Sequence, residues 1–455
     1  MNFDIFDQPV SLTRKDSVEF WNDTMMGFLA HAAVTPEHLG NVLKLEPDFA
    51  MGHAIKGMFY FLLGRRELMQ TAQEAYAAAR TSLATAGATA RECKYVDALE
   101  ALLDGRPSHS IALLEEILHT NPQDALAMKL SHALRFVLGD AGGMRASIER
   151  VLPAYGHDHA ARGYVLGCHA FALEETGDFE KAEIAGRQAL WLAPDDAWGL
   201  HAVAHVHDMT ANAAKGLDWL TGREAAWAHC NNFRYHVWWH KALMHLDLGQ
   251  VDAVLTLYDT QIRSDQTDDY RDISNATSLL MRLELEGVNV GNRWEELSEI
   301  CANRTEDGCL IFADLHYLMA LTGDKKPDAT SRILRRIAQD AKSNCEMGSR
   351  MSDPGVAAAQ GLEAFGEARY DTAFANLTQA RAGMQRAGGS HAQRDVFERI
   401  TIDAGIRAGY LDQAEAILDD RQSKRAGRED GYTAARRALI ASGRGGYDAT
   451  SLPAE

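Results

Sequence analysis

A small residue recurs along this chain at Gly64, Gly105, Gly139, Gly177, Ala211, Gly249, Gly287, Gly323, Gly366 and Gly409, in steps of 34 to 43 residues. A near-constant step of this size marks stacked helical hairpins, each burying its apolar face only against its neighbours. Glycine suits such a turn because it takes up the positive φ at which one helix stops and the next begins. The ladder predicts an all-α fold, an α-solenoid or superhelix of about ten hairpins. It runs through 1–445 as one domain, with 446–455 as a frayed tail. Only ten prolines in 455 residues interrupt helices, and long runs alternating Val, Ile and Thr are missing.

The clearest unit is Gly163 to Asp196, with its turn at Gly177-Asp178-Phe179, small residues at Ala182 and Ala189, and a stop at Pro194. It resembles the 34-residue tetratricopeptide repeat (TPR). Fainter copies end at Pro122 or run through FGEARYDTAFANLTQA and AGYLDQAEAILDD, so the best repeats span 163–266 and 355–420.

Charge and cysteine content narrow the function. A net charge of -18 repels phosphate backbones, so no nucleic acid partner is expected. The six cysteines form no CxxC and read as free thiols of a reducing cytoplasm. The opening MNFDIFDQPVSLTRKD has no apolar core of a signal peptide, and no apolar run spans a membrane, so no membrane association is expected. GxGxxG after a strand, GxxxxGK[ST] and GxSxG are absent. Cys230 follows His229, but on one helix neighbouring side chains diverge, which argues against a cysteine nucleophile.

Between Trp191 and His245 lie six of the eight tryptophans and seven of the eighteen histidines. The pairs His201/His205 and His236/His240 are each four residues apart, so each shares one helix face. In TPR units the first helix lines the concave groove. Counted back from the turn at Ala211, the groove stripe is Trp198, His201, His205 and Asp208, while His207 falls on the packed side. Counted from Gly249, it takes His236 and Trp239, with His240 at its edge and His245 on the packed side. The preceding unit offers Tyr164, Phe171, Glu174 and Glu175. Trp238 reads as filler between helices.

Three chemistries fit this stripe. Two HxxxH pairs on adjacent helices supply four nitrogens for a divalent metal at His201, His205, His236 and His240, although HxxxH alone is a weak motif and no HExxH is present. His205 and His240 beside Asp208 suit acid/base catalysis near neutral pH. Imidazole and indole rings also hold small polar or aromatic ligands without breaking a bond.

The runs WGLHAVAHVHDM, YHVWWHKALMHLDLG, LLMRLELEGVNVGNRWEEL, DLHYLMAL and AGGSHAQRDVFE, with the earlier PDFAMGHAIKGM, resemble the tetratricopeptide repeat protein 38 family. The likeness runs in order from Pro47 to Asp420 and implies a TPR-like helical fold without an assigned reaction. The matching motif positions are His201, His205, His236, His240, Arg282, Trp294, His316, His391, Gln393 and Arg394. TANAAKG after Met209 departs from the family's turn, which tends to carry glycine and arginine. Ser390 after Gly388-Gly389 reads as a helix N-cap, and that turn is a candidate ceiling facing His205 across the groove.

The resulting expectation is a TPR-like protein that binds a small polar or aromatic ligand in an enclosed pocket. Its lining is expected to be Trp198, His201, His205, His236, Trp239, His240, His316, His391 and Arg394, with no cofactor. The alternatives are a metal ion on the four histidines, an enzyme using the same cluster, or a scaffold for short peptides, with a homo-oligomer left open.

Overall fold

The computed structural model describes residues 2–445, so the tail 446–455 lies outside the described residues. Apart from a short hairpin pairing Asn2–Phe3 with Pro9–Val10, helices follow one another from Lys15 to Gly445. The chain is an all-α, TPR-like solenoid.

Eight of the ten ladder positions adopt positive φ, including Ala211 at 52°. Gly323 and Gly366 instead close their helices, and the positive φ falls two residues later, at Lys325 and Ala368. These two glycines serve close packing. A Cβ on Gly323 would stand 2.7 Å from the Trp294 ring, and one on Gly366 would stand 2.9 Å from Thr322 Cβ.

Two helices carry the histidine pairs. Ala197–Met209 starts at Asp196, whose carboxylate accepts the Gly199 amide at 3.1 Å, and stops at the Ala211 turn. It is buried all round, as expected of a helix enclosed in a core. Phe233–Asp247 follows the Asn231-Asn232 turn and ends before Gly249. The two largest apolar clusters meet here: one includes Trp198, Ala202 and Val206, and the other includes Trp239 and Ala242.

The superhelix is wound tightly enough for early and late turns to touch. Arg304 pairs with Glu67, and Arg65 with Asp268. Arg350 donates to the Leu138 carbonyl at 2.7 Å, and Gln385 to the Gly139 carbonyl at 2.9 Å. The concave face is thereby covered by the chain's own late helices.

Candidate functional site: four histidines under an acidic pair

The four imidazoles turn their Nε2 atoms toward one another. His205 Nε2 lies 2.9 Å from His201 Nε2, which lies 3.1 Å from His236 Nε2, which lies 3.2 Å from His240 Nε2. One ring nitrogen from each lies within 4.8 Å of the other three. The i,i+4 spacing puts each pair on one face, and the packing of the two helices brings the faces together.

Two of the four outer nitrogens face a polar group, while those of His201 and His240 are buried without a hydrogen-bond partner. His205 Nδ1 faces Glu174 Oε2 at 3.4 Å, and His236 Nδ1 faces Asn275 Oδ1 at 3.0 Å. Both contacts favour a proton on Nδ1 and turn an Nε2 lone pair inward. Burial pushes His236 down to about 3 against the Asn275 contact. Burial, then the neighbouring imidazoles, hold His201 and His240 well below the ordinary histidine range. An imidazole nitrogen has one in-plane position, either a proton or a lone pair. Each therefore makes one directed bond, and at most two of the three Nε2 contacts can be hydrogen bonds of full strength.

Aromatic rings wall the cluster. Trp239 stacks on His236 at 5.2 Å between centroids, Phe171 stacks on His201 at 5.5 Å, and Trp198 lies tilted 5.0 Å from His201. Lys129 sits 4.8 Å over the Trp198 ring.

Above His205 lies an acidic pair. Burial opposes charge on Glu174, yet the facing His391 holds its carboxyl below the ordinary carboxylate range. His391 Nε2 stands 3.2 Å from Glu174 and 3.3 Å from Glu175, and its backbone amide donates to Glu175 at 2.8 Å. Burial also opposes charge on His391, but Glu175 and Glu174 together lift it to about 9. Arg394 completes the cap, 3.4 Å from Glu175. The Gly388–Arg394 turn thus faces His205 through a shared carboxylate, with Ser390 capping the helix as its sequence implied. Glu174→Gln is expected to let the His391 titration fall from about 9 toward 6.5, read by NMR of the imidazole. An unmoved His391 would count against the shared-carboxylate link.

Other expected site residues lie elsewhere. Asp208 is not the acid of the cluster: its carboxylate pairs with Arg425 at 3.1 Å, and Glu174, one repeat earlier, faces His205 instead. His316 is outside the cluster, with Nδ1 on the Phe312 carbonyl at 2.7 Å and its ring edge-on to Phe397. Cys230 and His229 do approach, to 3.7 Å, because they lie in a turn; burial lifts the thiol to about 12, far from a thiolate nucleophile. His207 and His245 stay outside the set.

Neither of the two molecule-sized cavities described is lined by any of the four imidazoles. One of about 270 Å³ is lined by His391, Arg394 and Arg425, and one of about 280 Å³ by Asp208 and Arg282. Sequence reading missed Asn275 and Arg425. The groove count from Gly287 reaches Ser274, one residue short of Asn275; Arg425 arrives from the far end of the chain and leaves no local signal.

No protein-family model matches the chain. Human IFIT1, solved as a dimer with m7Gppp-AAAA, covers 88% of this chain and 90% of its own at 15% identity and TM-score 0.35. Yeast Tom70 covers 97% and 91% at 11% identity and TM-score 0.36. These likenesses concern helical-repeat architecture alone.

Proposed function

We propose that His201, His205, His236 and His240 bind one divalent transition-metal ion, and that this ion serves structure, tying the two largest cores together. The convergence of four Nε2 atoms carries this reading. Four nitrogens arranged tetrahedrally at zinc-to-nitrogen distances lie roughly 3.3 Å apart; three of the six pairs in the cluster stand at 2.9 to 3.2 Å, and all six lie within 4.8 Å. A cation would satisfy all four lone pairs at once, which hydrogen bonding among imidazoles does not. Glu174 behind His205 and Asn275 behind His236 are the supports that histidine ligands need. Four protein nitrogens fill a tetrahedral shell and leave no open position, which favours a structural ion over a catalytic one. Imidazole sets of this kind accept zinc, copper, iron or nickel.

The runs around His201 and His236 support placing the chain with the tetratricopeptide repeat protein 38 family, which makes the ligands motif positions of that family. Six free cysteines favour a reducing compartment such as the cytoplasm; among the described residues no helix is long and apolar enough to cross a membrane.

Elemental analysis of tag-free protein tests the reading. About one equivalent of a transition metal is expected, with His205→Ala and His236→Ala each losing nearly all of it. Asn275→Ala is expected to weaken binding roughly 10–100-fold. Wild-type protein that holds no metal after incubation with zinc near about pH 8, where imidazoles are unprotonated, sinks it.

A further inference from the structure

Among the described residues eight arginines are buried: Arg91, Arg263, Arg282, Arg304, Arg336, Arg421, Arg425 and Arg436. Seven sit within 3.3 Å of a carboxylate oxygen. Arg282 is the exception. Its Nη atoms donate to the Ser278 and Ala392 carbonyls at 3.1 and 2.7 Å, and its buried Nε has no partner. The nearest carboxylate, Asp395, is 4.0 Å away and already accepts from Arg399 at 2.7 Å and Arg421 at 2.6 Å. Apart from the Trp239 ring 5.4 Å away, this buried cation is held by carbonyls alone, which is costly and calls for an anion.

Arg282 lines the 280 Å³ cavity. The acids of that wall are mostly committed: Asp208 to Arg425, Glu286 to Arg436, Asp395 to Arg399. Asp247 is not. Its carboxylate accepts the Gly431 amide at 2.8 Å and meets no cation among the described residues. Leu243, Leu246, Val251 and Val288 make the remaining wall apolar. One cavity therefore holds one unmatched guanidinium, one unmatched carboxylate and an aliphatic surface. Its volume lies just below that of drug-sized sites.

We propose that this cavity binds a small aliphatic zwitterion of the α-amino-acid class. Its carboxylate pairs with Arg282, its ammonium with Asp247, and its side chain lies on Leu243, Leu246, Val251 and Val288. None of these groups is an ion ligand; Arg282 alone borders the histidine cluster, through the Trp239 ring.

Calorimetry and thermal shift with L-alanine, L-valine, L-leucine and L-methionine test it. At least one is expected to bind wild type and raise its melting temperature. L-leucinamide, without the carboxylate, and 4-methylpentanoate, without the ammonium, are each expected to bind at least tenfold more weakly than L-leucine. Asp247→Asn and Arg282→Met are expected to lower amino-acid affinity at least tenfold. Arg282→Met is also expected to melt higher than wild type without ligand, since it removes an uncompensated buried charge; should it fail to fold, Asp247→Asn carries the test alone. The proposal is overturned if none of the four amino acids binds wild type, if the amide or the monocarboxylate binds as well as leucine, or if Asp247→Asn binds as tightly as wild type. Metal content unchanged in Asp247→Asn would keep this outcome separate from that of the histidine cluster.

Discussion

Acidification below pH 6.5 is expected to unfold this protein steeply, with loss of helical signal well before carboxylates titrate in bulk. The cause lies in histidines buried as neutral rings. Burial holds His31 and His132 well below the ordinary value of 6.5, and it takes His316 down to about 3. In the unfolded chain the same rings accept protons near 6.5. Between these values the unfolded state binds more protons than the folded state, so stability falls as pH falls. It is complete above 6.5 and is lost on the way toward 3. Three such rings cost on the order of 4 kcal/mol per pH unit; Asp196 and Asp272, lifted by burial to about 7, take up protons in the folded state over the same range and offset part of that loss. His391 works in the opposite sense. Its folded value of about 9 stands above 6.5, so its contribution is complete below 6.5 and is lost as pH rises through 9. On these terms the chain is expected to be most stable near pH 6.5, where the neutral rings and the His391 pair both contribute. Circular dichroism against urea at a series of pH values measures this; a stability unchanged from pH 7 to about pH 5, where free histidine is already protonated, would remove the account. Replacing His132 by Phe is expected to flatten the acid limb, since a neutral buried ring remains without its titration.

The site was partly legible beforehand because repeat geometry is local. His201, His205 and His236 follow from counting back from Ala211 and Gly249, and both turns adopt positive φ. Spacing alone did not assign the acid. Asp208 shares the stripe with His205, but three residues further along it reaches the edge where Arg425 returns. Glu174 lies one repeat away, and choosing it requires knowing how adjacent hairpins register. His316 carries the family motif, yet its place is set by Phe312 on its own helix and by Phe397 from a later unit. The tight winding rests on contacts between turns more than two hundred residues apart, such as Arg350 with Leu138. A period along the sequence sets the unit, while curvature comes from small offsets summed over many interfaces.

Gly388→Ala is expected to detach the late helices from the histidine cluster. Gly388 has φ 90° and ψ -170°, a region essentially restricted to glycine. A Cβ there would stand 2.3 Å from the Val137 carbonyl oxygen, so the backbone of the early turn occupies the space a side chain needs. Neither side can yield cheaply. Val137 is held in its helix, and residue 388 must reverse the chain so that Ser390 can cap the helix carrying His391 and Arg394. A cost of roughly 3–5 kcal/mol is expected from strain and overlap together. Gly409→Ala is the matched control, with φ at 82° but nothing within 4 Å of the added carbon, and it is expected to cost only about 1 kcal/mol. The variants differ in what they disconnect. In Gly388→Ala, His391 should lose the acidic pair and titrate near 6.5, and the 383–391 segment should become open to protease, while earlier helices keep their protection. If urea melts place the two variants at equal stability, close approach at Gly388 does not hold the late helices in place.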